Sequence, residues 1–168
     1  MTMFAALLLA ATTTPFADPA CAKPVPLVEP WTRWSQSGQA KAGTQAQGAP
    51  SLILGKPVAA TLTPVENVQF AAASGKGAKD GYGGLFNLSV KTPTRIGVAL
   101  SGPVWIDVVT GDQSVASVDH GHGPECSGIR KIVWFDLPAG RHIIQIAGAK
   151  AADIRVMAAD AKANQPTP

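Results

Sequence analysis

Within seven residues the chain sets two histidines, a glutamate and a cysteine, in His120-Gly-His122-Gly-Pro-Glu125-Cys126. Imidazole and carboxylate are the donors of the two-histidine, one-carboxylate triad, which leaves open positions on iron for substrate and oxygen. His120, His122 and Glu125 supply these types. If the loop is extended, both histidines fall on one side and can share a metal by geometry alone. A free Cys126 would add a soft ligand and turn the set toward zinc or copper. His142, the last of the three histidines, is the remaining candidate ligand. On a strand it shares a face with Ile144 and Ile146, opposite Arg141 and Gln145, so core packing competes with ligation there.

The same stretch carries the makings of an anion site. Ser127, the Gly128 backbone, Arg130 and Lys131 could hold a carboxylate or phosphate. The plainer alternatives are that Arg130 and Lys131 open a strand, and that Gly121, Gly123 and Pro124 make a tight connection between strands. Nucleophilic catalysis finds no support, since no Gly-x-Ser-x-Gly elbow occurs near Ser127. Gly75-Lys-Gly-Ala-Lys-Asp-Gly81 has the wrong lysine spacing for a phosphate-binding loop.

The elements that must position these residues read as strands. From Leu52 onward, short β-branched runs alternate with turn residues. The runs are Val58–Leu62, Val65–Phe70, Gly84–Val90, Arg95–Leu100, Val104–Val109, Gln113–Val118, Lys131–Leu137, His142–Ile146 and Asp153–Met157. No window holds a 3.6-residue period. About eight to nine strands predict an all-β fold, a small antiparallel β-sandwich or jelly roll over residues 51–158. Residues 23–50, rich in Pro, Gln, Gly and Ala, read as an extended lead-in laying Trp31 and Trp34 on the domain surface. Residues 159–168 read as a disordered tail. Trp105 and Trp134 read first as packing.

Residues 1–22 resemble a signal peptide, with an eight-residue apolar run from Phe4 to Ala11 and small residues after it. Cleavage is expected after Ala17 or Ala22, although no Lys or Arg precedes Lys23. The run is far short of the ~20 residues that span a bilayer, so no transmembrane anchor is expected. A periplasmic or secreted location follows. There the two cysteines, Cys21 and Cys126, can form one disulfide, provided that cleavage falls before Cys21. Net charge is +3 with the basic residues scattered, and only Arg130 and Lys131 are adjacent, which gives nucleic acid no stripe to bind.

Two resemblances add to this. The strand plan from Gly84 to Met157, with the hairpin Leu137-Pro-Ala-Gly140-Arg-His-Ile-Ile-Gln-Ile146, resembles the jelly-roll domains appended to secreted peptidases. The segment His120-Gly-His-Gly-Pro-Glu-Cys-Ser-Gly-Ile-Arg130-Lys131, with Gly83-Gly84 and Trp105–Val109 before it, is similar to a group of small exported proteobacterial proteins. Members often carry the automatic name homogentisate 1,2-dioxygenase. The resemblance implies cupin-type iron chemistry on His120, His122 and Glu125, with His142 from the second cupin motif. Both motifs are one residue shorter here than the cupin pattern. The leading expectation is a non-catalytic exported sandwich that binds a small ligand, metal or partner through residues 119–131. The first alternative is a metal-dependent dioxygenase acting on an aromatic such as homogentisate, with iron, zinc or copper as candidate metals. The second is an envelope or accessory domain without a ligand, in contact with an envelope protein.

Overall fold

A computed structural model describes residues 21, 23, 25–75 and 79–161. The leader expected over residues 1–22 lies outside these apart from Cys21, as does the tail from residue 162. Twelve strands form among the described residues: β1 (Gly38–Lys41), β2 (Ser51–Leu52), β3 (Val58–Thr61), β4 (Thr63–Pro64), β5 (Tyr82–Val90), β6 (Thr94–Leu100), β7 (Trp105–Thr110), β8 (Gln113–Val115), β9 (Asp119–Gly121), β10 (Lys131–Leu137), β11 (Gly140–Ala149) and β12 (Asp153–Asp160). No helix is long and apolar enough to cross a membrane.

Two sheets pack face to face. One runs β1-β3-β12-β6-β10-β9, the other β2-β5-β11-β7-β8, with β4 added to β5. Stripped of its short edge strands, the frame is β3-β12-β6-β10 over β5-β11-β7-β8, with antiparallel neighbours throughout. In chain order this is the strand arrangement of a jelly roll. The wholly antiparallel expectation needs one correction. β1 pairs β3, and β2 pairs β5, in parallel. The chain leaves β1, crosses to the other sheet as β2 and crosses back as β3. Two crossings restore its direction, so β3 runs alongside β1.

The main core lies between the sheets and is built from Phe86, Leu88, Ile96, Val98, Leu100, Val108, Phe135, Ile144, Ile146 and Val156. A second cluster lies on the outer face of the first sheet. There Trp31 and Trp34 pack on Ala99, Ile132, Met157 and Ala159, with Ile129 beside them. The tryptophans are therefore buried, not laid on the surface, and β1 falls inside the stretch read as an irregular lead-in. Successive turns aim them inward, with Trp31 N–H donating to Val28 O and Trp34 N–H to Trp31 O. Coverage on both faces explains why Ile96–Leu100 and Val156–Ala159 are apolar almost without alternation. Gly97 belongs to this packing, because a Cβ there would lie 2.6 Å from the Trp134 ring.

Two expected boundaries shift. Val65–Phe70 is not a strand. Pro64 leads into a 3-10 turn over Val65–Asn67, closed by Val68 N–H donating to Val65 O. β12 continues to Asp160, two residues into the expected tail, because its final residues pair with Gly97 and Ile96 of β6.

Candidate functional site

The 119–131 stretch divides into two halves with different work. Its first residues form β9, where His120 pairs with Val133 and Gly121 with Ile132 of β10. His120 thereby takes the face of Val133, which points between the sheets. After His122 the chain folds on itself. Gly123 N–H donates to Ile129 O, Ser127 N–H donates to Pro124 O, and the Ser127 hydroxyl accepts from Ile129 N–H. Cys126 and Gly128 hold φ of 59° and 75°, the left-handed conformations that close the turn. A side chain at Gly123 would strike Ile129. Cys126 is bridged to Cys21, 105 residues earlier, and Gly128 faces the Trp34 indole. Residues 123–129 are thus a clasp on the N-terminal arm.

This geometry scatters the expected metal set. Cys126 is in the disulfide, so it offers no thiolate. Glu125 is exposed on the clasp. His122 donates from Nδ1 to Arg130 O at 2.8 Å, which leaves Nε2 as its lone-pair nitrogen in the neutral ring. His142 is 1% exposed, with both ring nitrogens engaged. Its Nε2–H donates to Pro138 O at 3.0 Å, and Nδ1 accepts from the Thr110 hydroxyl at 2.7 Å. It also pairs at the far end of β11, five residues (roughly 17 Å) from the Ala147 that faces Trp105. Among the described residues no three His, Cys, Asp or Glu side chains converge as a metal cluster. The three residues of a cupin-type iron triad do not fit one ion as they stand. The anion set divides too. Ser127 closes the clasp, whereas Arg130 and Lys131 turn to a cleft that composition did not reveal.

That cleft opens where the chain passes from β8 in one sheet to β9 in the other. Two adjoining cavities, of about 570 and 410 Å³, share Trp105, His120 and Lys131. Ile106, Val115, Val133 and Phe135 give the larger one an apolar floor. Ser114, Ser117 and Asp107 complete its rim, and His122 and Arg130 line the smaller one. Strand alternation explains the placing. Lys131 shares the inward face with Val133 and Phe135, but at the strand end its ammonium escapes the core and donates to Val104 O at 2.8 Å. It lies 5.8 Å from the centre of the Trp105 ring, within cation–π range. Burial pushes the Lys131 pKa down, and nearby Asp107 partly offsets this.

Trp105 and Asp107 occupy the outward face of β7. The indole N–H lies 3.0 Å from both Asp107 oxygens. Gln145, 1% exposed, donates to Asp107 Oδ2 at 3.3 Å. Its carboxamide also accepts from Ala71 and Ala72 N–H and donates to Ala72 O. One amide thus pins the segment leading to Gly75 onto the sheet, and the Trp105 ring lies against Gly75, where a Cβ would fall within the indole. Sequence reasoning missed this role of Trp105. The available signal was Trp105-Ile-Asp107, whose alternation sets a ring and a carboxylate on one face. Comparison with known proteins finds no matching protein-family model and no matching curated protein.

Proposed function

We propose that this is an exported, non-catalytic jelly-roll binding protein that takes a small organic ligand in the cleft between β8 and β9. The observation that carries this reading is the cleft itself. It combines an apolar floor with a few convergent polar groups, and its size suits a small molecule. The leader-like N-terminal pattern, cut after Ala17 so that Cys21 is kept, and the Cys21–Cys126 bridge support a periplasmic or secreted setting. Binding uses the first and last residues of the 119–131 stretch, His120, His122, Arg130 and Lys131. The dioxygenase alternative lacks its ligand set, because His120, His122, Glu125 and His142 form no cluster among the described residues.

The test is a fragment titration of the ¹⁵N-labelled protein by NMR. Shifts are expected to gather on the Trp105 indole N–H and on the amides of residues 115–121. Binders whose shifts all map elsewhere, for instance on the arm around Trp31, would remove this cleft as the site.

A further inference from the structure

The charges around the cleft are unevenly answered. Asp107 is its one lining carboxylate among the described residues. Both Asp107 oxygens take the Trp105 indole, and Oδ2 takes the Gln145 amide as well. Lys131 forms no ion pair among the described residues, and nearby Asp107 only partly offsets its burial. Its hydrogen bond goes to the Val104 carbonyl, and the ion pair among the described residues is Arg95–Asp136, elsewhere on the first sheet. An ammonium carries three donors, so two remain for a ligand. A half-buried cation whose nearby carboxylate, Asp107, is already engaged by the indole and the amide favours a further anion that can reach it. The His120 ring, the Ser114 and Ser117 hydroxyls and the Arg130 guanidinium also make no hydrogen bond among the described residues.

Beneath this polar rim the floor is hydrocarbon: Ile106, Val115, Val133 and Phe135. An inorganic anion would satisfy Lys131 but leave that floor wet. A neutral apolar molecule would cover the floor but leave the ammonium unanswered. We propose that the cleft selects a small organic carboxylate, with its head on Lys131 and His120 and its apolar body on Ile106, Val115, Val133 and Phe135. This rests on the cleft being a binding site and adds the class of ligand. Trp105, packed against Gly75 and hydrogen-bonded to Asp107, forms the wall beside the carboxylate head. Lys131 is the residue that determines specificity.

The experiment titrates hexanoate, hexan-1-ol and hexylammonium into the ¹⁵N-labelled full chain, as wild type, Lys131→Met and Lys131→Arg. These probes share one apolar body and differ in head charge. Hexanoate is expected to bind wild type at least about tenfold more tightly than hexan-1-ol, with hexylammonium weakest. Lys131→Met keeps the apolar stem and should bring hexanoate down to the level of hexan-1-ol. Lys131→Arg should retain the preference, which separates loss of charge from loss of packing. Hexan-1-ol binding wild type as well as hexanoate would overturn the charge selection and leave the cleft standing. If no probe moves Trp105 or residues 115–121, the ligand class and the binding site both fall.

Discussion

Replacing both bridged cysteines, Cys21→Ser with Cys126→Ser, tests how the arm is held. The bridge closes a segment of 105 residues. In the chain-entropy description, a cross-link over a loop of roughly 100 residues costs the unfolded ensemble about 4.7 kcal/mol at about 25 °C. Measured losses for native bridges run from about 2 to 5 kcal/mol. The upper half of that range is expected here, because the closed loop is long. With a urea slope of about 2 kcal/mol/M, the midpoint should fall by roughly 1.7–2.5 M. Tryptophan fluorescence reports the arm through Trp31 and Trp34, and circular dichroism reports the sheets. The two traces should coincide in the bridged protein, since Trp34 is 2% exposed against the first sheet. Treating the wild type with a thiol reductant should reproduce the double variant. A midpoint shift below about 0.3 M would refute the reasoning, because the arm would then be secured by packing alone.

Four further outcomes follow. Burial lowers the Lys131 pKa in the folded protein, so the unfolded chain binds more protons between that lowered value and the ordinary 10.5, and wild-type stability should rise with pH through this window. Asp107, His120, His122 and Arg130 are the other titratable groups lining the cleft among the described residues, and Lys131→Met should abolish the rise; urea midpoints at neutral and alkaline pH that change alike in both proteins would contradict it. His142→Ala strands Thr110 and the Pro138 carbonyl beside a new cavity and should cost about 2–5 kcal/mol in urea unfolding, while hexanoate affinity stays unchanged. Gly75→Ala should displace the Trp105 ring, moving its indole N–H resonance and weakening hexanoate; an unmoved resonance would argue against the Gly75 contact. Arg95 holds the Asp136 carboxyl below its ordinary 3.8 by hydrogen bonding, so this exposed pair stabilises above that value and is lost as acid protonates Asp136; Asp136→Asn should remove that part of the acid sensitivity, and added salt should weaken it.

Much of the frame was legible because its strands carry their own signal. The β-branched runs at Arg95–Leu100, Lys131–Leu137 and His142–Ile146 each lie within a strand, since two-sided burial asks for that composition. The edge strands were not legible. Gly-Gln-Ala-Lys in β1 and Asp-His-Gly in β9 have little intrinsic preference for extension, and their pairing to β3 and β10 decides their state. The burial of Trp31 and Trp34 left only an indirect trace. Unbroken apolar runs at Val98–Leu100 and Val156–Ala159 require a cover on the outer face, but nothing in the arm's own spacing identifies it as that cover.

The reactive side chains of the 119–131 stretch were visible as a group, but their grouping in sequence is not their grouping in space. A single strand pairing separates them. Once Val133 faces His120, the alternation of β10 sends Lys131 inward beside Phe135 and Ile132 outward onto the arm. The Gly123-to-Ile129 turn then leaves Glu125, Cys126 and Ser127 outside the cleft lining, with Gly128 against Trp34. Trp105 and Asp107, twelve or more residues before the 119–131 stretch, arrive on the other sheet to complete the wall. With the first sheet's outer face closed by the tryptophan arm, and the segment from Ala71 to Gly75 tied to the second sheet by Gln145, the crossing from β8 to β9 is where hydrocarbon core and charged rim meet solvent together. A ligand that needs both an apolar bed and a cation therefore finds them at this edge, and the lysine that reads as the opening residue of a strand is the one on which recognition turns.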